Sequence, residues 1–169
     1  MSGNEVAVEA TEDPNDVELA ALRERLDRAG WPVHDHPDGR VAIDVSSPGR
    51  RARASVRRTA KATFRISTSV SKVPITSELG RWAVARFLLS AAAGYRVVRP
   101  AARSDRTVHL EVELHPEDAD RGIDLCLGAL AHASRDSARE VELLAGNPQA
   151  AAAYAAVLPD AETPTLQEE

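Results

Sequence analysis

One short run limits what this chain can fold into more than any other. Residues 107–114 read Thr-Val-His-Leu-Glu-Val-Glu-Leu, with Val108, Leu110, Val112 and Leu114 on one face and Thr107, His109, Glu111 and Glu113 on the other. Such alternation specifies a strand buried on one side and wet on the other, as in an antiparallel sheet with helices over one face. Two further alternating stretches precede it. Val41, Ile43 and Val45 form the first; Ala52, Ala54 and Val56, then Ala60, Ala62, Phe64, Ile66 and Val70, form the second. A single strand over 51–70 would far exceed the usual length of about five or six residues. Two strands are therefore expected, breaking near Arg58 and Thr59.

Between these strands the period becomes helical. Leu79, Trp82, Ala83, Phe87 and Ser90, widened by Val84, Leu88 and Ala91, form an apolar stripe. Thr76 is the expected N-cap of this helix, Glu78 lies in its first turn, and Gly94 is the expected left-handed residue past its end. An earlier helix is expected to open at Asp13-Pro14-Asn15-Asp16, run through Leu19, Leu22, Leu26 and Ala29, and stop at Gly30. His115-Pro116-Glu117-Asp118 opens a third, carried by Ile123, Cys126, Leu127, Leu130, Ala131, Val141 and Leu144 to about Ala145. Gly122 and Gly128 inside it each cost on the order of 1 kcal/mol against alanine, and are expected to mark close approach to the sheet. Trp31-Pro32 and residues 34–39 read as a loop or the tip of a short hairpin, and 101–106 as a polar turn.

These elements predict an α+β domain over 13–146, with an antiparallel sheet of about five strands and three main helices in the order α-β-β-β-α-β-β-α. Residues 1–12 are expected to form a disordered acidic arm, 147–158 a short C-terminal helix after Asn147-Pro148, and 159–169 a disordered acidic tail. A chain of 169 residues suits one core, and 43% hydrophobic content with only 4% aromatic implies a core of Ala, Val and Leu. Cys126 is the only cysteine, so no intrachain disulfide forms and a reducing compartment is implied. Its neighbours Ile123, Leu125, Leu127 and Leu130 make it a buried hydrophobe rather than a reactive thiol. With no signal-like start and no apolar run of about 18 residues, the chain reads as a soluble cytoplasmic protein without a membrane partner.

Candidate chemistry is sparse. His34, Asp35 and His36 are proper metal-ligand types, but no third or fourth ligand lies at a suitable spacing, so a solvated turn is expected. His109 and His115 flank a strand end, and Glu111 and Glu113 share a strand face; both patterns suit ordinary exposed positions. No nucleophile elbow, phosphate loop, HExxH or CxxC occurs. A non-catalytic protein with neither cofactor nor metal is expected.

Charge is segregated. Residues 46–77 hold eight basic residues and no acid, residues 1–16 five acids and no base, and 159–169 four acids and no base, within a net charge of −5. Arg51, Arg53, Arg57, Lys61 and Arg65 share a parity that turns them away from the apolar face of their strands. Nucleic acid is one target for such a face. Against it, Phe64 has the opposite parity, so no aromatic interleaves the arginines. A protein partner, or the chain's own acidic arms, is the other occupant. Trp82 and Phe87 are the expected anchors for core or interface. An exposed strand in this region would also form an edge that a partner strand could extend.

The order helix, three strands, helix, two strands, long helix resembles the type III secretion chaperone-like fold, including the YbjN family. Residues 62–70, 78–95, 96–100, 108–114 and 116–130 carry the resemblance, which spans about 16–145. It implies a non-catalytic, often dimeric α+β domain that binds a protein segment, with the middle helix or its neighbouring strands at the interface. The basic stretch 50–65 and the chain beyond Asn147 depart from the pattern. The resulting expectation is a homodimeric, chaperone-like module engaging a protein partner. The alternative is a nucleic-acid-associated protein using the basic strand face.

Overall fold

The computed structural model describes residues 14–35, 40–45, 51–71, 74–95, 97–103 and 106–157. The acidic arm expected at 1–12 and the tail expected at 159–169 lie outside them. The elements are α1 (Pro14–Arg28), β1 (Val33–Asp35), β2 (Val41–Asp44), β3 (Arg53–Arg58), β4 (Phe64–Ser69), α2 (Glu78–Ala92), β5 (Arg99–Ala102), β6 (Val108–Leu114), a short 3-10 turn (Pro116–Asp118), α3 (Ala119–Gly146) and α4 (Pro148–Ala156). The strands form one antiparallel sheet in the order β1-β2-β3-β4-β6-β5.

The α+β class and the element order match expectation, with one strand more than the five foreseen. The extra strand is β1, where Val33 pairs with Ile43 and Asp35 with Val41. Three residues, two of them polar, are too few to show a period, and only the pairing with β2 makes this stretch a strand. Residues 51–70 divide into β3 and β4 as expected, but both strands are interior. No edge exists there; the edges are β1 and β5. Ala60 and Ala62 do not continue an alternating strand. They form the intervening turn, closed by Thr59 N–H donating to Thr63 O at 2.9 Å, with Ala62 at φ 58°.

All helices described cover one face. Phe64, Ile66 and Thr68 of β4 stand beside Leu114, Val112 and Leu110 of β6, and Ala54 and Val56 continue the row onto β3. Ile66, Leu110, Ile123, Leu127 and Leu130 are fully buried, each contributing roughly 1.5–3 kcal/mol by leaving water. Thr68 is buried in this apolar row because its Oγ1 donates to the Arg53 carbonyl at 3.1 Å.

α2 begins one residue later than expected: Ser77, not Thr76, is the N-cap, its Oγ accepting from Gly80 N–H at 3.0 Å. Its C-terminus also departs from expectation. Gly94 N–H bonds to Ala91 O and Tyr95 N–H to Ala92 O, a 3-10 finish that needs no left-handed residue. Gly30, after α1, is the one described glycine with positive φ, at 83°. α4 restarts after Asn147-Pro148 as expected, with Asn147 as its N-cap accepting from Gln149 and Ala150 N–H.

The two glycines of α3 differ. A Cβ on Gly122 would stand 2.9 Å from Leu114 Cδ1, so this residue does mark close approach to the sheet, whereas a Cβ on Gly128 would meet nothing within 4 Å. A third position is tighter. On Gly80 of α2 a Cβ would lie 3.1 Å from the Leu144 carbonyl and 2.9 Å from Ser77 Oγ. Gly128→Ala should therefore raise stability by about 0.5–1 kcal/mol. Gly80→Ala should lower it by about 1–3 kcal/mol, because rigid backbone blocks the methyl. Urea denaturation of the two variants checks the opposite signs; equal shifts would refute the packing account.

Candidate functional site

The face of the sheet opposite the helices is built from the positions that alternate with the apolar rows, odd-numbered on β3, β4, β5 and β6 and even-numbered on β2. Across it run Arg57–Arg65–Glu113, then Ala42–Ser55–Ser67–Glu111–Arg99, with Asp44–Arg53 and Ser69–His109–Ala101 beyond. Arg65 Nη2 and Nε donate to Glu113 Oε1 at 2.6 and 3.2 Å. Arg65 also lies 3.7 Å from Glu111, and Arg103 Nη2 donates to Glu111 Oε1 at 2.6 Å. Beneath them Ser67 is only 6% exposed, although nothing but side chains of its own face covers it. Its Oγ lies 3.2 Å from Ser55 Oγ and within reach of Arg103. Farther along, Arg53 Nε donates to Asp44 Oδ1 at 2.9 Å, and His34 Nε2 lies 3.0 Å from Asp44 Oδ2.

These contacts revise the expected basic face. Arg53, Arg57 and Arg65 do point away from the core, as parity requires, while Arg51 precedes β3 and Lys61 sits exposed in the β3–β4 turn. Arg53 and Arg65, however, are ion-paired with Asp44, Glu111 and Glu113. The acids come from neighbouring strands, so the local sequence, with no acid in 46–77, overstated the positive field. Arg58 belongs to the same basic run but faces the helices, where it pairs with Glu18 and lies 5.6 Å over the Phe64 ring. The arginine beside Asp44 and the one beside Glu113 hold each carboxyl below its ordinary range, and Glu113 holds Arg65 above its own.

A second feature lies at the other side of the sheet. Between α2 and the edge strand β5 is a groove of about 230 Å³, lined by Ile75, Val84, Leu88, Leu89, Pro100 and Val108, with Arg81 as its charged member. Leu89 stands at its lip, 64% exposed. The groove exists because three of the four β5 residues, Pro100, Ala101 and Ala102, carry small or cyclic side chains, which leave α2 without a deep partner on that side. Trp82 and Phe87, the expected anchors, are half-buried against the core and do not line it. Sequence reasoning passed over Leu89. The available signal was an apolar residue off the stripe made by Leu79, Trp82, Ala83 and Phe87.

The backbone of β5 tells how the groove can be used. Arg103 N–H donates to Thr107 O at 3.0 Å, so odd-numbered residues bond to β6 and Pro100 and Ala102 turn their backbone outward. Pro100 has no N–H to offer there. A partner strand added to this edge would lack a donor at its centre, so the edge is blunted and the groove favours side-chain packing.

A third recess of about 520 Å³ separates α1 from the start of α3, lined by Glu18, Leu22, Arg25, Arg28, Phe64 and Asp120. Arg25 is paired there with Asp120 and Glu18 with Arg58, while Arg28 donates to the Glu24 carbonyl. Among the described residues no group of three His, Cys, Asp or Glu could hold a metal ion, and no helix is long and apolar enough to cross a membrane. Cys126 is buried, and burial pushes its thiol up, away from reactivity.

No family model matches the chain, and no curated protein matches it. Among solved structures it is similar to a chain in the heterodimeric complex ExoU–SpcU from the type III secretion system of Pseudomonas aeruginosa. The match is 19% identical over 78% of this chain and 97% of the other, with a TM-score of 0.42.

The paired carboxylates set a pH dependence. Asp44 and Glu113 have folded pKa values below their unfolded ones, so their stabilisation is complete above about pH 4–4.5 and lost as pH falls through the folded values. Thermal melts should show the wild type losing more stability between pH 5 and pH 3 than an Asp44→Asn/Glu113→Gln variant. Parallel losses would mean that these pairs do not couple to folding.

Proposed function

We propose that this chain is a non-catalytic, chaperone-like protein-binding module of the type III secretion chaperone and YbjN kind, working in the cytoplasm as a homodimer. The observation that carries the reading is the apolar α2–β5 groove with Leu89 exposed at its lip. Burying one leucine side chain contributes roughly 1.5–3 kcal/mol, and an apolar recess beside an exposed leucine is what a protein segment with apolar side chains would fill. The Pro100 edge favours a segment held by side chains over one added as a strand. Trp82 and Phe87 act in this reading as supports that hold α2 in place, and the open face contributes little because most of its charges cancel.

A photo-crosslinking residue at position 85 should yield adducts with one recurrent protein in host extract, and Leu89→Asp should reduce their yield about tenfold while leaving the melting temperature within a few degrees. No recurrent adduct, or adducts indifferent to Leu89→Asp, would refute the groove. Light scattering at micromolar concentration should report twice the chain mass of 18.1 kDa; the chain mass alone would refute the homodimer.

A second reading, association with nucleic acid, rests on Arg57 together with exposed Arg51 and Lys61, which form no ion pair with any described residue. Arg53 and Arg65 complete that face but bring paired charge. Binding of a single-stranded oligonucleotide at 50 mM salt that disappears in Arg57→Glu/Lys61→Glu would favour it, since phosphate contacts are salt-dependent.

A further inference from the structure

Residues 79–104 hold five arginines and no acid, in a chain whose net charge is −5. The walls that α2 and β5 give to the apolar groove both come from that stretch. Two of the five arginines serve the open face, where Arg99 stands across from Glu111 and Arg103 donates to it. Arg81 and Arg86 stay with the groove. Arg81 lines it and meets Glu78 at 3.2 Å, with its side chain still 58% exposed. Arg86 is exposed, adjoins Ala85 of the lining, and has no ion partner among the described residues. Arg106 adds a cation at one end of the groove. Its carbonyl accepts from the N–H of Ile75, a lining residue, at 3.1 Å. It too is exposed and has no ion partner among the described residues. Within α2 and β5 the one acid is Glu78.

The lip has a helical period. Trp82, Ala85, Arg86 and Leu89 fall at i, i+3, i+4 and i+7, so they form one row along α2 with a cation set among apolar residues. Such a row suits a second helix laid along it, anchored by apolar side chains at the same spacing. Pro100 disfavours the alternative of a strand added at β5. Charge narrows the partner further. A second copy docked here about a twofold axis would meet the same patch, setting arginines against arginines with one glutamate per chain between them. Like charges brought together at an interface select against that partner.

We propose that the occupant of the α2–β5 groove is an acidic amphipathic helix of another protein, with apolar side chains seated between α2 and β5 and flanking aspartates or glutamates against Arg81, Arg86 and Arg106. This rests on the reading of the groove as the binding site and adds the chemistry of what it binds. The apolar contacts supply affinity, while the arginine rim supplies selectivity and orientation. The homodimer contact falls to another surface.

The test measures fluorescence anisotropy of three labelled helical peptides against the full chain. The first has leucines on one face flanked by glutamates, the second has lysines for the glutamates, and the third has alanines for the leucines of the first. At 50 mM salt the acidic leucine peptide should bind about tenfold more tightly than the basic one, the sum of a few exposed ion pairs. The alanine peptide should bind at least tenfold more weakly than the first. The acidic preference should shrink at 500 mM salt, fall severalfold in Arg86→Gln/Arg106→Gln, and invert in Arg81→Glu/Arg86→Glu/Arg106→Glu. Equal binding of both leucine peptides, lost in Leu89→Asp, would overturn the acidic partner and leave the groove standing. Failure of both leucine peptides to bind would overturn the groove and this inference together. Acidic binding indifferent to Leu89→Asp would overturn it by placing the contact elsewhere. A fall to the chain mass in light scattering of Leu89→Asp would overturn it by assigning the groove to a second copy.

Discussion

The pairing of β4 with β6 is the contact on which the rest of the structure depends. It joins the meander β1–β4 to the hairpin β5–β6 across the whole of α2, through six register pairs from Phe64–Leu114 to Ser69–His109. On one side Phe64 meets Leu114, Ile66 meets Val112 and Thr68 meets Leu110; on the other Arg65 meets Glu113 and Ser67 meets Glu111. A slip of one residue would turn both glutamates into the core and the leucines and valines out to water, so the register is specified from both faces at once. Each cross-strand pair is worth only about 0.2–1 kcal/mol. What gives the pairing its weight is that the helices can cover the apolar face in one register alone.

That arrangement decides which surfaces remain open to a partner. The open sheet face is braced by its own arginines and glutamates, which satisfy one another and roof Ser67. The outer edge at β5 lacks a donor at Pro100. The recess between α1 and α3 carries paired charges, Arg25 with Asp120 and Glu18 with Arg58. The α2–β5 groove is left as an apolar surface with an exposed leucine, and Arg57 as a charge that forms no ion pair with a described residue. Both follow from the core: β5 is too slight to fill the space under α2, and the β3–β4 register sets Arg57 directly across from Arg65.

Much of the fold could be read from the residue order. Alternation gave β2, β3, β4 and β6, helical spacing gave α1, α2 and α3, and Asn147-Pro148 marked the restart at α4. The misses have physical causes. β1 is a strand only because β2 lies beside it. Ser77 displaced Thr76 as a cap because its hydroxyl, one residue later, reaches Gly80 N–H. Gly94 went unused because α2 tightened into 3-10 bonds. Gly122 and Gly128 look alike in sequence, yet only the first faces Leu114.

The candidate site divides along the same line. The sequence by itself determined which side chains share a face, since that depends only on parity along a strand or angle around a helix. It placed Arg53, Arg57 and Arg65 together and kept them out of the core. Only the tertiary structure decided which of those charges survive, because the acids that neutralise Arg53 and Arg65 come from β2 and β6, the latter 48 residues distant from Arg65. It also decided that Leu89 overhangs a groove while Trp82 and Phe87 support the core. Exposure and charge balance are properties of neighbours, and neighbours far apart in the chain meet only when the sheet closes its register.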